Sequence, residues 1–157
     1  MKKNEKTNVM RILSQKKVPY QEVVYTELES TTGTDIAKYL GEDPDRAFKT
    51  LVTTGKTGEH YVFAIPVDAE LDLKKAANAV GEKSIAMLPL KELLPLTGYV
   101  HGGCSPIGMK KVFKTVFHET AGTYDSIFFS GGKVGYQVKL RLSDIQDVLK
   151  YSLCDVI

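Results

Sequence analysis

Cysteine is scarce in this chain: Cys104 and Cys154 are the only two. Two thiols make neither a disulfide framework nor a zinc cage, so a packed core has to supply the stability. Long apolar runs are also missing, and none approaches the roughly 20 residues that span a bilayer. The opening MKKNEKTNVM has no apolar stretch of the signal-peptide kind. These absences lead us to expect a cytoplasmic protein with no membrane contact. An excess of one charge sign is missing as well. The formal net charge is +2, without the strongly basic face of a dedicated nucleic-acid binder. The one local bias lies between residues 110 and 141. There Lys110, Lys111, Lys114, Lys133, Lys139 and Arg141 face only Glu119 and Asp125, which tolerates a polyanion nearby without demanding one.

What is present is ordinary globular composition. The chain has 157 residues, 43% of them hydrophobic and 25% charged, which suits one domain over residues 1–157. Thr7 caps an amphipathic helix over 7–17, and 20–28 alternates as a strand. Thr34 caps a short helix ended by Gly41. AFKTLVTT (47–54) and YVFAIPV (61–67) read as a hairpin across GKTGEH. A helix over 71–81 turns Leu73, Ala76, Ala77 and Val80 inward and stops at Gly81. A short strand over 83–88 and a helix over 88–98 follow. Then come a strand over 112–118, a pair of strands (126–130 and 134–142) joined by SGGK, and a last helix over 143–152. Helices interleave with short hairpins, which favours a mixed α+β domain over a doubly wound parallel sheet.

Several motifs carry no chemistry. GKTG at 55–58 lacks the earlier glycine of a phosphate loop, because Thr50 stands there, and it falls in a hairpin turn. His60, His101 and His118 have no partners at metal-ligand spacing, so neither a metal nor another cofactor is expected. No serine sits in a G-x-S-x-G elbow. Cys104, close to His101, reads either as a nucleophile or as a buried structural thiol.

Three features remain. GYVHGGCSPIG (98–108) contains Gly102 and Gly103, which let backbone amides converge, and Ser105-Pro106, which sets the following turn. SGGKVG (130–135) is a second glycine-dense loop. Each reads as a tight turn or as a donor-rich nest for a carbonyl or phosphate oxygen. Lys49 falls within an apolar strand, on the face of Ala47 and Leu51 and away from Phe48, Thr50 and Val52. An edge lysine reaching solvent and an inward lysine at a cleft both fit that pattern.

In this order and spacing, RAFKTLV, LDLKKAANAVG, TGYVHGGCSPIGMKK and SIFFSGGKVG closely resemble the YbaK/EbsC proteins. These are Cys-tRNA(Pro) deacylases related to the inserted editing domain of bacterial prolyl-tRNA synthetases. The resemblance implies a single domain around a mixed, barrel-like sheet. It implies cofactor-free cleavage of the ester in mischarged Cys-tRNA(Pro), with prolyl-tRNA synthetase as a partner for choosing the tRNA. It places catalytic roles on Lys49, Gly102 and Gly103, and substrate contacts on Tyr25, Ser105, Ser130, Gly131 and Gly132. The substrate's own thiol would attack the ester, leaving Cys104 a bystander. Where some relatives carry an aspartate, this chain has Gln137, which removes a possible acidic partner. The competing readings are a module that binds a nucleotide or tRNA 3′ end without catalysis, a deacylase for a small residue such as alanine, and a thiol enzyme using Cys104.

Overall fold

A computed structural model describes residues 6–30 and 32–157, so the MKKNE that opens the chain lies outside the described residues. Helix α1 (Asn8–Gln15) begins where expected, with Thr7 Oγ1 accepting from the Met10 N–H, and it buries Val9, Met10 and Leu13. Strand β1 (Gln21–Val24) follows. Helix α2 (Gly33–Leu40) is capped by Thr32, not by Thr34, through a bond from the Asp35 N–H to Thr32 Oγ1 at 3.3 Å. The earlier start depends on Gly33, where a Cβ would come within 2.6 Å of Val67. Gly41 ends the helix at φ +69°, and the Glu42 N–H then returns to Ala37 O at 2.8 Å.

Strands β2 (Phe48–Gly55) and β3 (His60–Pro66) form the expected hairpin, with Lys49 opposite Ile65. Helix α3 (Leu73–Val80) is capped by Asp72 and rests on Ala76 and Ala77, whereas Leu73, expected inward, is 40% exposed. Periodicity reports direction but not how far neighbouring elements reach. Strand β4 (Ile85–Met87) and helix α4 (Leu93–Thr97) precede strands β5 (Lys114–His118), β6 (Ile127–Ser130) and β7 (Tyr136–Leu140).

The last expected helix is corrected. Residues Leu142–Ile145 make one 3-10 turn, and Tyr151–Cys154 is strand β8, parallel to β5 with Tyr151 beside Thr115. Pairing on the open edge of β5 outweighs a weak local helical pattern.

The strands form two sheets. One is antiparallel, in the order β1-β7-β6; the other is mixed, in the order β4-β2-β3-β5-β8. The two sheets meet at a parallel bridge, Ala47 to Phe128. The main core, with Met10, Leu13, Phe48, Phe117, Phe129 and Ile145, fills one side of the five-stranded sheet. Phe63, Ile65, Val116 and the α3 alanines cover its other side. A small cluster of Ala37, Ala47, Val67 and Phe128 seals the junction. Burial on both faces explains why β2 and β3 read as nearly continuous apolar runs.

Candidate active site

At the junction of the sheets a cleft of about 460 Å³ opens, within the range of small-molecule sites. Four segments build it. The first turn of α2 supplies Thr32, Gly33 and Thr34, and β2 supplies Phe48 to Leu51. The glycine loop brings His101, Gly102 and Cys104, and the small sheet adds Ser130 and Gln137, with Tyr25 beyond the end of β1. Strand β4 pairs with β2 from Thr53 to Gly55, and among the described residues no strand pairs with the β2 edge around Lys49 to Leu51.

That geometry resolves the two readings of Lys49. It sits on an uncovered stretch of strand edge, and the same stretch is a cleft wall. Phe48 and Val52 turn into the main core while Leu51 packs on the opposite cluster. Lys49 follows Leu51 in the strand alternation and is half-buried, lining the cleft.

The glycine loops are packed against each other. A Cβ on Gly103 would stand 3.0 Å from Val134 N, in the second loop. A Cβ on Gly132, at φ +93°, would stand 2.8 Å from Val9 Cγ2. Most of their amides are already used. The Gly103 N–H donates to Val100 O at 3.0 Å, Gly131 N–H to Tyr136 O at 2.9 Å, and Gly132 N–H to Ser130 Oγ at 3.1 Å. The donor role expected of Gly103 is therefore taken up by a turn. Gly102, at φ +87°, is the glycine of this pair that lines the cleft. Ser105, expected to touch substrate, is fully buried, and its Oγ accepts from the Ile107 N–H. Tyr25, Lys49, Gly102 and Ser130 line the cleft, whereas Gly103, Ser105, Gly131 and Gly132 are outside its lining.

Burial sets the electrostatics. It pushes the Cys104 thiol up to about 12 and raises the Tyr25 phenol, against a backbone hydrogen bond with Gly135. Two buried polar atoms of the cleft residues have no partner: Thr50 Oγ1 and Gln137 Oε1. Behind Gln137 lies Glu42, whose carboxyl burial raises from 4.5 to about 7. Sequence reasoning missed Thr50, Glu42 and the start of α2. Thr50 stood beside Lys49 in the quoted motif, whereas Glu42 gave no local signal, being 95 positions from its partner Gln137. Among the described residues, no group of three or more His, Cys, Asp or Glu could hold a metal, and no helix is long and apolar enough to cross a membrane.

The model of the aminoacyl-tRNA editing domain matches residues 27–148, which include most of the cleft wall. The chain belongs to that family. Membership makes aminoacyl-tRNA editing its activity class. The editing domain is 48% identical over 140 residues to a protein of Enterococcus faecalis named EbsC, a candidate Cys-tRNA(Pro)/Cys-tRNA(Cys) deacylase, covering 88% of this chain and 85% of that one. It is 38% identical over 77 residues to the proline–tRNA ligase of Pelobacter propionicus, matching 49% of this chain but 13% of the ligase. Among solved structures, the hypothetical protein APE2540 superposes with a TM-score of 0.85 at 19% identity, covering 94% of this chain and 97% of that one. A candidate trans-editing enzyme for prolyl-tRNA synthetase gives 0.78 at 21% identity, covering 96% and 97%. At these identities the superpositions establish the shared fold.

Proposed function

We propose that this editing domain is a free-standing deacylase that removes cysteine from Cys-tRNA(Pro). The observation that carries this reading is the cleft at the sheet junction, lined by a lysine, a glycine and two residues, Thr50 and Gln137, that each hold an unpartnered buried polar atom. Buried polar atoms of this kind are normally satisfied, by an ordered water or by a bound ligand that displaces it. The cleft volume suits the aminoacylated terminal nucleoside better than a tRNA body.

Ester cleavage places negative charge on the carbonyl oxygen. The Gly102 N–H, with the Lys49 ammonium nearby, stabilises that charge, and Lys49 also orients the ribose end of the substrate. No protein nucleophile is needed. The cysteine thiol of the substrate loses its proton, its sulfur attacks the carbonyl carbon, and the carbon–oxygen ester bond breaks. The ribose 3′ oxygen leaves with a proton, and the amino acid departs as a cyclic thiolactone. The protein contributes orientation, which converts the attack into a well-placed intramolecular step. Ser130 and Tyr25 contact the substrate from the small sheet and its edge. Selection of tRNA(Pro) is assigned to docking with prolyl-tRNA synthetase. The similar segment within proline–tRNA ligases supports a shared tRNA.

The test is a panel of Cys-, Ala- and Pro-tRNA(Pro) incubated with wild type and Lys49→Ala. Release of cysteine ahead of alanine and proline is expected, with a loss of roughly 100-fold or more in kcat/KM for Lys49→Ala. Preferential loss of alanine would move the substrate assignment to Ala-tRNA(Pro). Stoichiometric binding with every ester intact would leave a binding module.

A further inference from the structure

The cleft has a second polar pole that the reaction above does not use. Gln137 lies within β7, opposite Val23 of β1 and Ser130 of β6, and is 7% exposed. Its Nε2 donates to Glu42 Oε1 at 3.2 Å, while its own Oε1 is buried without a partner. An ionised carboxylate only accepts hydrogen bonds. It therefore takes the amide NH2 and turns the carbonyl oxygen the other way. Glu42 is brought there by the stop of α2, where Gly41 reverses the chain and the Glu42 N–H closes on Ala37 O. The result is an acceptor backed by a negative charge, in a wall apart from the Lys49 cation.

We propose that Gln137 contacts the substrate, its Oε1 accepting a hydrogen bond from the α-ammonium of the aminoacyl ester, and that Glu42 is the positioning residue that holds the carboxamide in that sense. This rests on the deacylase reading above. At neutral pH and below, an aminoacyl ester carries an ammonium next to its carbonyl. A cleft with Lys49 in one wall and Glu42 behind another orients that pair, carbonyl oxygen toward the cation and ammonium toward the acceptor. The side chain is then left to the apolar lining of Ile36, Phe48 and Leu93.

The arrangement depends on the protonation of Glu42. Burial favours the neutral carboxyl, against the Gln137 hydrogen bond and the Lys139 charge on β7. Lys139 lies over the Phe128 ring, and the Tyr25 phenol is raised partly by Glu42. Lys38 and Asp35 on α2, Asp43, next in the chain, and Glu22 on β1 are further charges on adjoining segments. A protonated Glu42 donates to Gln137 Oε1, and the carboxamide then presents NH2 to the cleft, where it repels an ammonium.

The experiment measures kcat and KM for cysteine release from Cys-tRNA(Pro), from about pH 5.5 to about pH 8.5, in wild type and Glu42→Gln. The KM of wild type should be roughly tenfold higher at the acid end, with kcat changing less, and Glu42→Gln should lose that difference. Ionisations of the substrate are common to both proteins and cancel in the comparison. In a second arm, the 3-mercaptopropionyl ester of the same tRNA, which lacks the amino group, should bind wild type roughly tenfold more weakly than the cysteinyl ester. That arm needs no substitution, so it decides the matter even where Glu42→Gln fails to fold. Equal KM for the two esters, or the same pH dependence in Glu42→Gln, overturns the proposal while leaving the deacylase reading intact. No release of cysteine by wild type overturns that reading and the proposal with it.

Discussion

Cys104 lines the cleft beside Gly102, yet burial holds its thiol up to about 12, so at neutral pH almost none of it is thiolate. Cys104→Ala should keep cysteine release within about twofold of wild type, and iodoacetamide should leave the native protein active. Strong loss in either measurement would restore the thiol-enzyme reading. Glu42 gives a prediction with a definite sign. Its folded carboxyl titrates near 7, above the ordinary 4.5, so the native state holds its proton more tightly than the unfolded chain does. The penalty is absent below the ordinary value, grows as pH rises toward 7, and is complete above it. Glu42→Gln should therefore be more stable than wild type at pH 8, by about 1 kcal/mol after discounting for solvent screening, and no more stable at pH 4. Urea unfolding at the two pH values measures this directly. At this scale Lys49 was legible as one of two alternatives. The pairing of Gln137 with Glu42 was not, because nothing within a turn of either residue hints at the other.

Among the elements, α2 joins stability to the site. Its first turn is cleft wall, and its N-cap is Thr32. Thr32→Ala removes the acceptor for the Asp35 N–H and should cost about 1 kcal/mol in urea unfolding. Because that turn also frames the substrate, KM for deacylation should rise with it. Unchanged KM alongside the stability loss would separate the helix start from the site. The hairpin of β2 and β3, the stops at Gly41 and Gly81, and the short α4 were all readable, since each depends on residues within a few positions. Strand β8 was not. Its Tyr151–Cys154 run becomes a strand because β5 offers an open parallel edge, which is a long-range condition.

Across the whole molecule, the two sheets touch through the Ala47–Phe128 bridge and the small cluster around it, and the cleft opens at that junction. Ala47→Leu overfills the junction. It should destabilise by roughly 1–3 kcal/mol, and it should also lower kcat/KM, because the β2 wall shifts relative to the Ser130 and Gln137 wall. A variant with reduced thermal stability but wild-type kcat/KM would show that the junction does not set the cleft geometry. The sequence alone determined the Thr7 cap, the helix stops at Gly41 and Gly81, the main hairpin and the order of the two glycine loops. All of these follow from backbone preferences and periodicity over a few residues. Only the tertiary structure decided which glycine lines the cleft, how Gln137 is turned, and that Lys49 stands on open strand edge at a pocket. Those outcomes depend on which distant groups have already taken each donor and acceptor, and local sequence carries no record of that competition.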